Sequence, residues 1–136
     1  MNVSEPVATD EVLSCDVAVV GAGPAGLMVA EQLAQSGLSV HVFEAKASPA
    51  RKFLMAGKGG LNLTHSEDFA HFVTRYGARS AQLEPLLRHW GSDALREWVK
   101  GLGFDTFVGT SGRVFPADMK AAPLLRGWLA RIKAQG

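Results

Sequence analysis

Between Asp16 and Glu44 the chain reads as a hydrophobic strand, a Gly21-Ala22-Gly23-Pro24-Ala25-Gly26 turn, an apolar helix, a second strand and a closing carboxylate. That order fits one supersecondary unit, the βαβ arrangement whose first turn cradles a dinucleotide. A bare GxGxxG arises by chance, and this chain has 15 glycines among 136 residues. The flanks supply the specificity. Val17 to Val20 form an unbroken small and β-branched run that meets Gly21 directly, as expected for a strand covered by helices on both faces.

Each position in the turn has a physical reason. Gly21 permits the tight bend, Gly23 lets the backbone approach a pyrophosphate, and Gly26 lets the helix pack close to the strand. Pro24 and Ala25 open the helix, where unpaired N–H groups and the helix dipole attract an anion without a basic side chain. The helix continues through Leu27, Ala30, Leu33 and Ala34 and stops at Gly37. The second strand covers Leu38 to Phe43. Glu44 closes it, near the ~20-residue offset at which an acidic side chain accepts hydrogen bonds from an adenosine ribose. A carboxylate there repels a 2′-phosphate, so these residues point to FAD or NAD rather than NADP.

Composition narrows the field further. The 14 Lys and Arg are scattered among 13 acids for a formal net charge of +1, so neither a nucleic-acid nor a membrane partner is expected. Residues 1–14 carry Glu5, Asp10 and Glu11 without an apolar core, which is unlike a cleavable signal and reads as a flexible tail. No stretch approaches the ~18 consecutive apolar residues of a membrane span, and a cytoplasmic location is expected. The single cysteine, Cys15, cannot build a disulfide framework, and its place before the first strand suits a buried or half-buried thiol. No metal site is expected, because His71 and His89 lack a second ligand at metal spacing.

After Glu44, residues 45–65 show no regular hydrophobic period and read as a Gly-rich cofactor loop. Arg51, Lys52 and Lys58 follow the ribose carboxylate closely enough to reach a diphosphate. Gly57, Gly59 and Gly60 let backbone N–H groups approach a flat ring or phosphate. A Walker phosphate loop is excluded, since Gly57-Lys58 is followed by Gly59 rather than Ser or Thr.

Beyond this loop the spacing predicts helices over residues 66–101, with Ser66 capping the first, Gly77 ending it and Ser92 capping the last. Trp90, Trp98 and Trp128 read as packing residues, and Leu95, Trp98 and Leu102 share a face. Residues 104–116 predict a hairpin with the loop Gly109-Thr110-Ser111-Gly112, its second strand ending at Pro116. A crossover helix over 119–134 then carries Leu124, Leu125, Trp128, Leu129 and Ile132, with Gly136 at its C′ position.

Gly21 to Gly26, Glu44, Arg51-Lys52-Phe53-Leu54, Gly57 to Thr64 and Gly112-Arg113-Val114-Phe115-Pro116 together resemble one bacterial flavoprotein family. Its members are the aminoacetone-oxidase-like or BaiN-like NAD(P)/FAD-dependent oxidoreductases. The chain departs from the family pattern at Ala50, where a glycine is usual, and at Gly60-Leu61-Asn62, which lacks the usual Arg and Cys; it reads as a divergent branch. The resemblance implies an α/β chain forming the N-terminal part of a Rossmann-like, glutathione-reductase-like FAD-binding domain with added helices and a β-hairpin.

It further implies FAD along Gly21, Gly23 and Gly26, Glu44 on the ribose, and Arg51 and Lys52 near the adenosine and diphosphate. Gly60 and Asn62 would lie toward the flavin end, and NAD(P)H would serve as electron donor. For Asn62 a turn or helix cap is an equal reading, for Arg51 and Lys52 a solvated loop charge is the alternative, and for His65 an acid–base role stays open.

Residues 16–44 hold only two parallel strands, whereas a Rossmann half needs three. The expectation is therefore a truncated product that binds FAD weakly or not at all by itself. A small-molecule substrate is expected, with a C-terminal part of the same protein completing the site. Two other readings stay open: the nucleotide domain of an NAD-dependent dehydrogenase, and a non-catalytic or inactive module.

Overall fold

Val17–Val20 (β1) and Val40–Phe43 (β2) pair in parallel, in a register that sets Val17 opposite Val40 and Val20 opposite Phe43. The computed structural model describes residues 12–135. Between the two strands runs α1 (Pro24–Ala34), which buries Leu27, Ala30, Glu31 and Ala34. Asp16 fixes the start of the pair, its N–H donating to Ser39 O at 3.0 Å and its Oδ2 accepting from Ser39 N at 2.8 Å.

Then follow α2 (Arg51–Ala56), a 3-10 turn at Gly57–Gly59, β3 (Thr64–His65), α3 (Phe69–Thr74), a 3-10 turn at Gly77–Arg79, α4 (Ser80–His89) and α5 (Ser92–Gly101). The chain continues through β4 (Thr106–Val108), β5 (Arg113–Pro116) and α6 (Ala121–Gln135). A second sheet has the antiparallel order β3-β5-β4. Pro116 closes its central strand at the last residue, where a missing N–H is tolerated. Among the described residues, no helix is long and apolar enough to cross a membrane.

The core lies between the helices. Ala22, Leu27, Ala50, Leu125 and Trp128 form one buried cluster, and Leu61, Val99, Ala121 and Leu124 form an adjoining one. Glu31 is buried with them at 1% exposure, so its carboxylate needs partners. Its Oε2 accepts from Trp128 Nε1 at 2.7 Å and from Trp98 Nε1 at 3.1 Å, while Arg131 Nη2 stands 2.6 Å from Oε1 as a charge contact. The two indoles meet edge to face with centroids 4.9 Å apart. They pack, as the sequence suggests, and they also tie α1, α5 and α6 together through one carboxylate.

Several expectations are corrected. β1 is not covered on both faces: its burial alternates and Val20 is 88% exposed, because the described helices leave that face open. β2 starts at Val40 rather than Leu38, since Gly37 with φ +77 and Ser39 are spent on the turn into the strand. Residues 45–65 are not a featureless loop. They hold α2, a 3-10 turn and β3, which are too short for a period to emerge.

Helix starts and ends move as well. Asp68, not Ser66, caps α3 by accepting from His71 N, and that helix ends at Thr74 before Gly77. Gly91 is the N-cap of α5, and the Ser92 hydroxyl instead bonds Thr64 Oγ1 at 2.7 Å. The last helix begins at Ala121 rather than 119, because Met119 adopts φ +59. Residues 1–11 of the expected tail, and Gly136, lie outside the described residues.

Candidate functional site

β1 ends at Val20 and α1 leaves from Pro24, so the turn at Gly21 to Gly23 stands at the carboxyl end of the parallel strands, where open α/β sheets bind ligands. Gly21 has φ +98, a conformation that L side chains rarely adopt. Gly26 is required for a different reason: a Cβ there would stand 2.0 Å from the Gly21 carbonyl oxygen. A Cβ on Gly21 or Gly23 would meet nothing within 4 Å, so the space above the turn is open. Gly23 caps α1 without a side-chain bond, and the first turn holds no acid. Its N–H groups thus face an open cradle of the kind that accepts a phosphate.

Glu44 sits beside this cradle and braces it. Ala22 N donates to Glu44 Oε2 and Lys46 N to Oε1, each at 2.9 Å. These two N–H groups, that of Lys46 foremost, hold the carboxyl below the usual carboxylate range. Each oxygen keeps a lone pair for a further donor such as a sugar hydroxyl. Ala50 N donates to Ala22 O at 2.8 Å, which fastens the start of α2 to the same turn.

A cleft of about 390 Å³ results, lined by Gly23, Pro24, Glu44, Lys46, Ser48, Ala50, Arg51 and Lys52. It offers free helix N–H groups, one ionised acceptor, and three cations from Lys46, Arg51 and Lys52, a set complementary to phosphate and hydroxyl groups. Sequence reasoning missed Lys46, Ser48 and Ala50; their place directly after Glu44 was the available signal.

Gly60 and Asn62, expected toward a flavin end, do not line this cleft. Gly60, with φ +114, packs under Met119 and Phe115, and Leu61 N donates to Met119 O at 2.9 Å. Asn62 is exposed, and with its amide nitrogen turned inward it donates to Thr64 O at 2.8 Å and Val114 O at 3.3 Å. These bonds fit the turn-forming reading of Asn62. His65 accepts from Glu67 N through Nδ1 at 3.1 Å, which puts its proton on Nε2, 3.0 Å from Ser111 O. Both nitrogens are engaged, so His65 clasps the hairpin turn rather than offering a free base.

A further cleft of about 350 Å³ between α3 and the α4–α5 turn is lined by His65, Glu67, Asp68, Arg88 and Arg96, among others. It shares no residue with the glycine turn. Its charges are largely satisfied locally: Glu67 by Arg75, Asp68 by His71 and Arg88 by Glu84. Among the described residues no cluster of three or more His, Cys, Asp or Glu is placed to hold a metal ion.

A family model described as HI0933-like protein Rossmann domain matches residues 15–136. A Haemophilus influenzae protein named ribosomal RNA dihydrouridine synthase is 45% identical over 58 residues, 42% of this chain and 14% of that protein. A Paraburkholderia xenovorans 3-(3-hydroxy-phenyl)propionate/3-hydroxycinnamic acid hydroxylase is 32% identical over 131 residues, covering 83% of this chain and 21% of its own length. The Escherichia coli gamma-glutamylputrescine oxidoreductase is 33% identical over 98 residues, 71% of this chain and 22% of that enzyme. The crystal structure of Thermovibrio ammonificans THI4 superposes with a TM-score of 0.55 at 20% identity, over 90% of this chain and 36% of that one, which shows a shared fold. The chain thus spans 14% to 22% of the curated relatives named here.

Proposed function

The chain belongs to the HI0933-like protein Rossmann-domain family, and we propose that it supplies the FAD-binding part of a flavin-dependent oxidoreductase. One observation carries the reading: the cradle at Gly21 to Gly26 and the ionised Glu44 are hydrogen-bonded into one unit and share a cleft with Arg51 and Lys52. In this reading the N–H groups of the first turn of α1 bind the diphosphate, Glu44 accepts from the ribose, and Lys46, Arg51 and Lys52 balance the phosphate charge.

The flavin, when bound, supplies the hydride chemistry, and the chain holds it in place and sets its electrostatic surroundings. Two relatives whose names denote an oxidoreductase and a hydroxylase support redox chemistry over a purely binding role. The finer placement, in the aminoacetone-oxidase-like or BaiN-like branch, rests on the Arg51 to Asn62 and Gly112 to Pro116 motifs. Within this reading NAD(P)H is the electron donor, the substrate is a small molecule, the setting is cytoplasmic, and a further segment of the same protein completes the crevice.

A second reading has one specific observation behind it, the 45% identity to a ribosomal RNA dihydrouridine synthase over 58 residues. The same hydride chemistry would then act on a uracil ring within RNA. Dihydrouridine content of ribosomal RNA from cells with and without the gene separates the two: a loss on deletion favours the RNA substrate, and no change favours the small molecule.

The cofactor reading is tested by amide chemical shifts of Gly23, Glu44 and Lys46 during titration with millimolar FAD, ADP-ribose and 2′-phospho-ADP-ribose. FAD and ADP-ribose should move the three amides alike, and the 2′-phosphorylated ligand should bind at least tenfold more weakly. Unmoved amides with FAD would overturn the reading.

A further inference from the structure

We propose that Phe115, with Phe107 and Met119 around it, is the platform on which the flat isoalloxazine ring of the dinucleotide lies. This rests on the flavin reading above and adds the site of the ring, which the glycine turn does not specify.

The open face of the second sheet carries the argument. On β5, Val114 and Pro116 are buried whereas Phe115 is half-buried on the opposite face. Phe107 pairs with it across the strands, and the two rings stack with centroids 5.7 Å apart and planes at 29°. Phe107 keeps 41% of its surface exposed and Met119 keeps 38%. Two glycines flank the Phe115 ring: a Cβ on Gly109 would stand 3.3 Å from Cε2, and one on Gly60 would stand 3.7 Å from Cε1. At the Gly109 edge the ring meets bare backbone, and at the Gly60 edge the Met119 ε-methyl takes the space a side chain would fill. A planar aromatic ligand suits such a surface, because stacking and thioether contacts favour it over an irregular aliphatic group.

Backbone strain marks the same spot. Met119 is a non-glycine residue at φ +59, and its ε-methyl lies where a Cβ on Gly60 would be, 2.6 Å away. Its N–H donates to Pro116 O at 2.8 Å, and its carbonyl accepts from Leu61 N. The strained residue therefore locks the end of β5 to the Gly60-Leu61 backbone. Strain of this kind persists where the surroundings over-determine it, and it gathers at ligand clamps.

Placement supplies the third strand of the argument. α2 and the 3-10 turn lead straight from Arg51-Lys52 to Gly60, a path of at most ~15 Å at the usual rise per residue. One end of that path is cationic and the other apolar and aromatic. The flavin half of FAD, which runs from the charged diphosphate to the isoalloxazine, has the same polarity, its adenosine being held on the Glu44 side in the flavin reading.

Methyl spectra of the protein labelled at methionine test the proposal, with Met28 and Met55 as internal references. FAD should move the Met119 ε-methyl upfield by more than either reference, whereas ADP-ribose, which lacks the isoalloxazine, should move the Gly23, Glu44 and Lys46 amides and leave Met119 in place. Phe115→Leu should abolish the Met119 shift and leave those amide shifts intact; should that variant fail to fold, the comparison of FAD with ADP-ribose on the unaltered protein decides alone. FAD that moves the amides but not Met119 would refute the platform and spare the cofactor reading. FAD that moves neither would remove both. A Met119 signal that shifts with protein concentration alone would assign this face to a second copy of the chain and overturn the proposal.

Discussion

Ala22 N donates to Glu44 Oε2 at 2.9 Å, so the carboxylate that ends β2 is the brace of the glycine turn that ends β1. Removing it acts on the binding site twice. Glu44→Ala should weaken ADP-ribose binding by roughly 10- to 100-fold, because it takes away a charged hydrogen-bond acceptor along with the brace. Its pH dependence has a definite sign. The folded carboxyl is held below its ordinary 4.5, so the brace is complete above that value and is lost as pH falls through the lowered one. Binding measured from pH 8 downward should stay flat until about pH 4.5 and then fall, and a decline centred near neutrality would contradict this assignment.

Glu31 predicts a stability effect rather than a binding one. Glu31→Ala strands two indole N–H groups and the Arg131 guanidinium in the core, and should destabilise the fold by about 3 kcal/mol or more. Glu31→Gln keeps an acceptor for the indoles and should lose less. Urea unfolding followed by tryptophan fluorescence reports both, and equal losses would show that the charge facing Arg131, rather than the acceptor offered to the indoles, holds α1 to α6.

Gly26→Ala places a methyl 2.0 Å from the Gly21 carbonyl oxygen, a backbone atom that cannot swing away. Overpacking of this kind costs about 1–3 kcal/mol and should push α1 off the strand. Thermal melts should show the loss together with weaker ADP-ribose binding. Gly23→Ala, which meets nothing within 4 Å of its new Cβ, should keep stability and lose binding only.

Ala50 holds φ +53 at the position where the resembled family carries glycine, and it is 3% exposed. Relief of left-handed strain, about 1–2 kcal/mol, opposes the lost burial of a methyl and the freer unfolded chain, each just under 1 kcal/mol. Ala50→Gly should therefore change stability by less than about 1 kcal/mol, while Ala50→Val, β-branched at positive φ, should destabilise by more than that. A large gain for glycine would mean that the alanine methyl contributes nothing to packing.

The exposed His71–Asp68 pair gives a second pH signature. Asp68 raises the imidazole above its ordinary 6.5, so the pair's contribution is whole below 6.5 and is lost as pH rises through the raised value. Asp68, lowered from 3.8 by the same partner, sets the acid limit. His71→Gln should differ from the parent in urea midpoint at pH 5.5 and match it at pH 9; a constant difference would assign the effect to packing.

The βαβ unit was legible because each of its demands is local. A strand needs a run like Val17 to Val20, a positive φ needs Gly21, and a close helix needs Gly26. Segment 45–65 was not legible, since α2 and β3 are shorter than a hydrophobic period and are held by distant groups: Ala50 by Ala22, Leu61 by Met119, Leu63 by Val114. Caps failed for the same reason, because Ser66 and Ser92 are good caps by type and another partner or position won.

Sequence alone determined that the chain makes a dinucleotide turn closed by an acidic residue, since turn geometry and charge are properties of neighbours along the chain. Tertiary structure alone decided that Glu44 braces that turn, that Glu31 is buried under two indoles, and that Phe115 and Met119 meet at Gly60. Those contacts join residues far apart in sequence, and only the packing of helices on the two sheets sets which of many chemically suitable partners come within hydrogen-bond or van der Waals reach.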